Sequence, residues 1–270
     1  MPQSLVHRLM QTLAKGRMHL TSVDPVAHTL TRVAEIVQIA GAAGTDGFLL
    51  GGSSGVDRRM VEEYGRVIHD TIIKIYPAGG VLPLLLFPSS VETALAKVAD
   101  GVLFLSLLNS LDIQFLIRIQ AKAAPHLRAL KLEPVGCGMI MIEPGGTAGS
   151  IGKAELVPRN GDEIAAGYAS AAEAFGFPFV YLNAGSGSNA PVPASMIQSV
   201  TRAVSIPVMV GGGITSAERA RQAVDAGASI IVTGTAVETG TDIGTVLRAI
   251  VSAVHGVPPR HCSASGGAAT

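Results

Sequence analysis

The chain has 270 residues, 48% apolar and only 15% charged, with Lys+Arg and Asp+Glu balanced at 20 each. That composition supports a sizeable core and excludes a disordered chain, and without a basic excess or a Lys/Arg cluster there is no case for nucleic-acid binding. The two cysteines, Cys137 and Cys262, lie far apart and outside any metal-ligand spacing, as expected of a reduced cytoplasmic protein, and no apolar run approaches the roughly 20 residues that span a bilayer.

In chain order, Leu5, Leu9 and Leu13 recur at helical spacing with His7, Arg8, Lys15 and Arg17 around them. Residues 1–18 are therefore expected to form a short amphipathic helix packed on the body of the protein, the alternative being peripheral membrane contact. Short runs rich in Val, Ile, Leu and Phe then alternate with segments of 3.6-residue period. Strands are expected at His19–Val23, Gly47–Leu50, Leu82–Phe87, Val102–Ser106, Gly138–Ile142, Phe179–Leu182, Pro207–Val210 and Ser229–Thr233. Helices are expected at Thr29–Ala40, Arg58–Lys74, Asp112–Ala123, Asp162–Phe175, Ser195–Ala203, Ala217–Ala226 and Asp242–Val254.

The strands are almost continuously apolar, the pattern of parallel strands covered on both faces. Eight strand–helix units over residues 19–256 predict a single closed (β/α)8 TIM-type barrel, with a doubly wound open sheet as the alternative. The short interval from Phe87 to Gly101 implies one reduced outer helix, and the tail 257–270 is expected to be frayed.

In such a barrel, chemistry gathers at the C-terminal ends of the strands. The motifs PVMVGGGITSAERA and SIIVTGTAV are units seven and eight, whose glycines let backbone N–H groups approach an anion near a helix N-terminus. The pairing of these two loops points to phosphate binding rather than tight turns alone, and Ser186 on the preceding loop adds a hydroxyl donor. Asp24 ends the first strand opposite that site. A carboxylate facing a phosphate implies a divalent cation or a proton-transfer role, and Ser53 is placed to help hold a hydrated Mg²⁺. There is no Asp-Asp-x-x-Asp cluster, nucleophile elbow or H-E-x-x-H, which removes support for hydrolase and zinc chemistry. LPLLLFPSS and GVLFLSLLNS put Phe87, Leu105, Leu107 and Leu108 near the mouth, so phosphate loops face aliphatic surface, as suits an amphiphilic substrate.

HLTSVDP, TDGFLLGGSSGV, LPLLLFP, LFLSLLNS, EPGGTAGSIGKA, VYLNAGSGSNAPV, VMVGGGI and IIVTGTA occur in the order found in the geranylgeranylglyceryl phosphate synthase family. The chain resembles that family from about Arg17 to Glu238. The resemblance implies a Mg²⁺-dependent barrel prenyltransferase that moves a prenyl group from a prenyl diphosphate to a hydroxyl of a three-carbon phosphate, working as a homodimer. It implies that Asp24 and Ser53 are magnesium positions and that Tyr181 and the loop Gly185-Ser186-Gly187 bind the acceptor. Gly212, Gly213, Gly234 and Thr235 would grip phosphate.

Two residues depart from the family's pattern. Its YLEAGSG carries Glu, the group assigned to take the hydroxyl proton, where this chain has Asn183, and the basic residue two before the Asp is Ser22 here. A neutral amide cannot be a general base. It can hydrogen-bond to a carboxylate that Glu would repel, by several kcal/mol as an order of magnitude in a low-dielectric pocket. On that ground the expected acceptor is 3-phosphoglycerate, alkylated at C2 with a farnesyl group, as in the branch of the family making moenomycin-type phosphoglycolipids. Glu143, the substrate's own carboxylate and the leaving diphosphate are then the candidate bases. The alternatives are an ordinary glycerol-1-phosphate prenyltransferase, a phosphosugar isomerase or lyase barrel, and a non-catalytic lipid-phosphate binder.

Overall fold

The computed structural model describes residues 3–52, 55–76, 82–88, 95–234 and 242–256. Eight strands form one closed parallel barrel in sequence order, β8 pairing back onto β1. They are β1 Met18–Val23, β2 Gly47–Leu50, β3 Leu84–Leu86, β4 Gly101–Leu107, β5 Glu133–Met141, β6 Phe179–Asn183, β7 Val208–Gly211 and β8 Ile230–Thr233. The helices are α1 Leu5–Leu13, α2 Leu30–Ala43, α3 Arg58–Ile75, α4 Ile119–Leu130, α5 Gly146–Ile151, α6 Asp162–Ala174, α7 Ala194–Ala203, α8 Ala217–Asp225 and α9 Ile243–His255. The expected (β/α)8 barrel is therefore the observed fold, and the open doubly wound sheet is not.

Each strand splits its side chains between two cores, because successive residues point to opposite faces. Inward residues such as Leu20, Leu49, Leu85, Leu103, Phe179, Met209 and Ile230 fill the barrel. Outward residues such as Val180, Leu182 and Val210 pack under α6, α7 and α8. Val23, Phe48 and Leu84 do the same under α2, α3 and α9.

Leu5 and Leu9 of α1 belong to the inner core, so this helix closes the N-terminal end of the barrel. Its N-terminus is held by the Glu133 carboxylate, which accepts from Leu5 N–H at 2.7 Å and Val6 N–H at 3.2 Å. The apolar stripe that suggested membrane contact is thus turned into the protein. Among the described residues no helix is long and apolar enough to cross a membrane.

Two expected boundaries move by more than three residues. β5 begins at Glu133 rather than Gly138, through a stretch that Pro134, Gly136 and Gly138 disguise. The helix expected over Asp112–Ala123 starts with a π-helical turn, Gln114–Arg118, and runs on through Pro125 to Leu130. The β3–β4 connection has no helix among its described residues 95–100, and the predicted tail 257–270 lies outside the described residues.

On the outward side of β1, His19 is fully buried. Its Nδ1 is 3.0 Å from Thr45 Oγ1 and its Nε2 2.9 Å from Thr233 Oγ1. Thr45 Oγ1 also lies 3.1 Å from the His19 carbonyl and 3.2 Å from that of Gly47, which can only accept. Its single proton goes to them, so Thr45 accepts from Nδ1–H and Thr233 donates to Nε2. Burial lowers the His19 pKa from 6.5 to about 4. Between those values the unfolded chain binds more protons than the folded one, so stability rises with pH across that window. Acidification through it is expected to cost up to about 3 kcal/mol. Urea titrations of the wild type and His19→Gln between pH 4 and 7 check this, and equal pH slopes for the two proteins would refute it.

Candidate active site

The inward alternation continues to the C-terminal rim. On β1, Ser22 follows Leu20; on β6, Asn183 follows Phe179 and Tyr181; on β7, Gly211 follows Met209; after β8, Gly234 follows Ile230 and Val232. Tyr181, Asn183, Ser186, Gly212, Gly213 and Gly234 all line one cavity of about 70 Å³, together with Ser22, Ile214 and Thr233. A second cavity of about 120 Å³ is lined by Leu103, Leu105, Leu107, Phe115 and Met139 among others, and Phe87 borders both. Of the four apolar residues expected at the mouth, Phe87, Leu105 and Leu107 line the apolar cavity, whereas Leu108 packs into the outer layer.

The small cavity is polar without being charged. Among its described lining residues there is no Lys, Arg, Asp or Glu. Its side-chain donors are Ser22, Ser186, Tyr181 and Asn183. Tyr181 is 3% exposed, and burial holds its phenol well above the usual range, so it stays neutral. Its ring stands 6.3 Å from that of Phe87 at 50°. The Asn183 side chain has a fixed orientation, since Oδ1 accepts from Gly185 N–H at 2.8 Å, which leaves Nδ2 as the donor.

Three glycine loops stack backbone against backbone beside this cavity. Gly185 has φ +93°, and a Cβ there would lie 2.5 Å from the Gly145 carbonyl. Gly212 has φ +83°, and a Cβ there would lie 2.7 Å from Gly185 O. Real Cβ contacts do not come so close, so these positions require glycine both for φ and for space. The pair Gly145-Gly146, at the start of α5, was not expected to shape the site. The cue for it is a double glycine four residues past the end of β5.

Asp24 is half-buried, with Oδ1 accepting from Val26 N–H at 2.8 Å. A Cβ on Gly52 would lie 2.5 Å from both carboxylate oxygens, so that glycine forms an open cradle beside them. Gly52 also lines the apolar cavity, which places the carboxylate at that cavity's edge. Among the described residues no three His, Cys, Asp or Glu side chains gather into a metal cage. One carboxylate in an open cradle fits Mg²⁺, which takes one or two carboxylates and completes its shell with substrate phosphates and water. Ser53 and Thr235, also expected here, lie outside the described residues.

Glu143 is not brought to either cavity. It has inward parity on β5, but the strand ends at Met141 and Ile142 bridges to Val157 instead. Glu143 N–H donates to Val157 O, and its exposed carboxylate accepts from Arg159 N–H at 3.4 Å. The chain peels outward at the point where parity alone would have turned the side chain in.

With the geometry in place, three comparisons bear on it. The model of the PcrB family matches residues 11–254. A geranylgeranylglyceryl phosphate synthase of Methanothrix thermoacetophila is 42% identical over 241 residues, covering 89% of this chain and 91% of the relative. The enzyme of that name from Pyrococcus furiosus is 40% identical, covering 86% and 89%. Among solved structures, (S)-3-O-geranylgeranylglyceryl phosphate synthase of Thermoplasma acidophilum, in complex with its substrate sn-glycerol-1-phosphate, superimposes with a TM-score of 0.88 at 35% identity, covering 94% of this chain and 100% of that one.

Proposed function

The chain belongs to the PcrB family, and on that premise we propose that it is a prenyltransferase joining a prenyl diphosphate to a three-carbon phosphate, with sn-glycerol-1-phosphate as acceptor. The observation that carries this reading is the pair of cavities, one apolar and one glycine-lined, that share Phe87 as a wall. A prenyl chain suits the first and a phosphate the second, so the transferred carbon and the accepting hydroxyl meet beside Phe87. The relatives favour glycerol-1-phosphate over the 3-phosphoglycerate expected from Asn183, because they are synthases of geranylgeranylglyceryl phosphate and one of them holds glycerol-1-phosphate.

Asp24 would hold Mg²⁺ together with diphosphate oxygens, and the ion, when bound, neutralises charge on the leaving group. The backbone amides of the glycine loops and the Ser186 hydroxyl bind the acceptor phosphate and fix its hydroxyl. The allylic C–O bond to diphosphate breaks, the acceptor oxygen forms the new ether bond, and its proton passes to the departing diphosphate. No side-chain base is needed at 183, since proton loss comes late in a carbocation-like reaction.

A second reading, transfer to the C2 hydroxyl of 3-phosphoglycerate as in moenomycin-type biosynthesis, is favoured by one observation. Asn183 presents an amide donor, and no carboxylate, to the acceptor cavity. Competition between the two acceptors, with farnesyl and geranylgeranyl diphosphate as donors, tests both readings. Preference for 3-phosphoglycerate would overturn the first, and no transfer to either would overturn the reaction class. Asn183→Glu is expected to weaken use of 3-phosphoglycerate about tenfold or more, by setting a like charge beside its carboxylate, and to change use of glycerol-1-phosphate less than about threefold. Equal changes for the two acceptors would count against a charge-based role for residue 183.

A further inference from the structure

The glycine-lined cavity would receive a phosphate of nearly two negative charges, yet no cation stands among its described lining residues. One stands directly behind it. Arg219, in the first turn of α8, donates from Nη1 to the Gly213 carbonyl at 2.8 Å and to Thr215 Oγ1 at 3.1 Å, and from Nη2 to the Asn189 carbonyl at 3.2 Å. All three acceptors are neutral, and among the described residues Arg219 has no carboxylate partner. Its positive charge is therefore not offset by an ion pair among the described residues.

Its strongest contact is with the peptide joining Gly213 to Ile214, and both of those residues line the cavity. A cation on a carbonyl polarises the whole peptide and makes the N–H on its other side a better donor. The bond to Asn189 meanwhile ties the loop after β6 to the loop after β7, where a Cβ on Gly213 would already lie 3.0 Å from Ser188 O. We propose that Arg219 is a positioning residue for the acceptor's phosphate. It locks the two loops together and supplies, through the Gly213–Ile214 peptide, the positive potential that the described lining residues lack. This rests on the reading of the glycine-lined cavity as the acceptor site.

The test combines calorimetric binding of sn-glycerol-1-phosphate and inorganic phosphate with steady-state kinetics for the wild type, Arg219→Gln and Arg219→Lys. Arg219→Gln is expected to weaken glycerol-1-phosphate binding and raise its KM about tenfold or more, with kcat and the KM for prenyl diphosphate changed less than about twofold. Arg219→Lys keeps the charge without the two-pronged geometry, and recovers part of the loss. An unchanged acceptor KM, or equal losses for both substrates, would overturn the proposal. If the wild type binds neither glycerol-1-phosphate nor phosphate, the reading of the cavity itself falls.

Discussion

Replacing Asp24 with Ala is expected to lower prenyl transfer by about three orders of magnitude while leaving the fold unchanged. Ionic stabilisation of a departing diphosphate is worth several kcal/mol, and about 4 kcal/mol corresponds to that loss of rate. The structural cost is small, because the side chain is half-buried and its one described bond is to Val26 N–H; losing it is worth about 1 kcal/mol at most. Asp24→Asn separates the two roles, since the amide oxygen can still accept from Val26 but carries no charge. Both variants should melt close to the wild type and both should be inactive over a magnesium titration. Appreciable turnover by Asp24→Asn would mean that the carboxylate acts as a turn former and not as a metal ligand.

The second large effect is expected at Gly185. An alanine there meets two penalties, a left-handed φ of +93° and a Cβ 2.5 Å from the Gly145 carbonyl. The φ term alone costs about 1–2 kcal/mol for an L-residue. The contact term adds displacement of two backbones that are hydrogen-bonded to each other, Gly145 N–H donating to Ala184 O at 3.1 Å. A total of about 2–4 kcal/mol in urea unfolding is expected, with the acceptor KM raised at least tenfold, because the loop that moves also carries Ser186 into the cavity. Gly176→Ala is the control, with φ +83° and nothing within 4 Å of the added carbon. If the two variants lose the same stability and only φ matters, the stacking of the glycine loops does not shape the site.

What could be read from the sequence, and what could not, divides along physical lines. Strand positions were legible because buried parallel strands are apolar on both faces, whereas Tyr181 and Asn183 were picked out by the family resemblance and not by their place in the alternation. β5 was entered late because proline and glycine, usually strand breakers, occupy its first half. The helix expected to end at Ala123 runs on to Leu130: Pro125 costs about 3 kcal/mol inside an isolated helix, yet buried Ala123 and Leu127 hold α4 together on either side of it. Glu143, expected as a candidate base, stays away from the site because a single bridge, Ile142 to Val157, draws the chain outward beyond the barrel. Arg219 was invisible for a different reason. It acts through main-chain carbonyls, and no spacing pattern marks a side chain whose partners are peptide groups.

The seating of α1 has a consequence for the order of assembly. The carboxylate that holds this helix lies 128 residues further along the chain, so during synthesis an element made early must wait for one made late. Nine residues are too few to keep a helix on their own in water. The floor of the barrel is therefore closed by a segment that stays unstructured until five strands exist to receive it, which makes α1 a latch on completed folding rather than a seed for it.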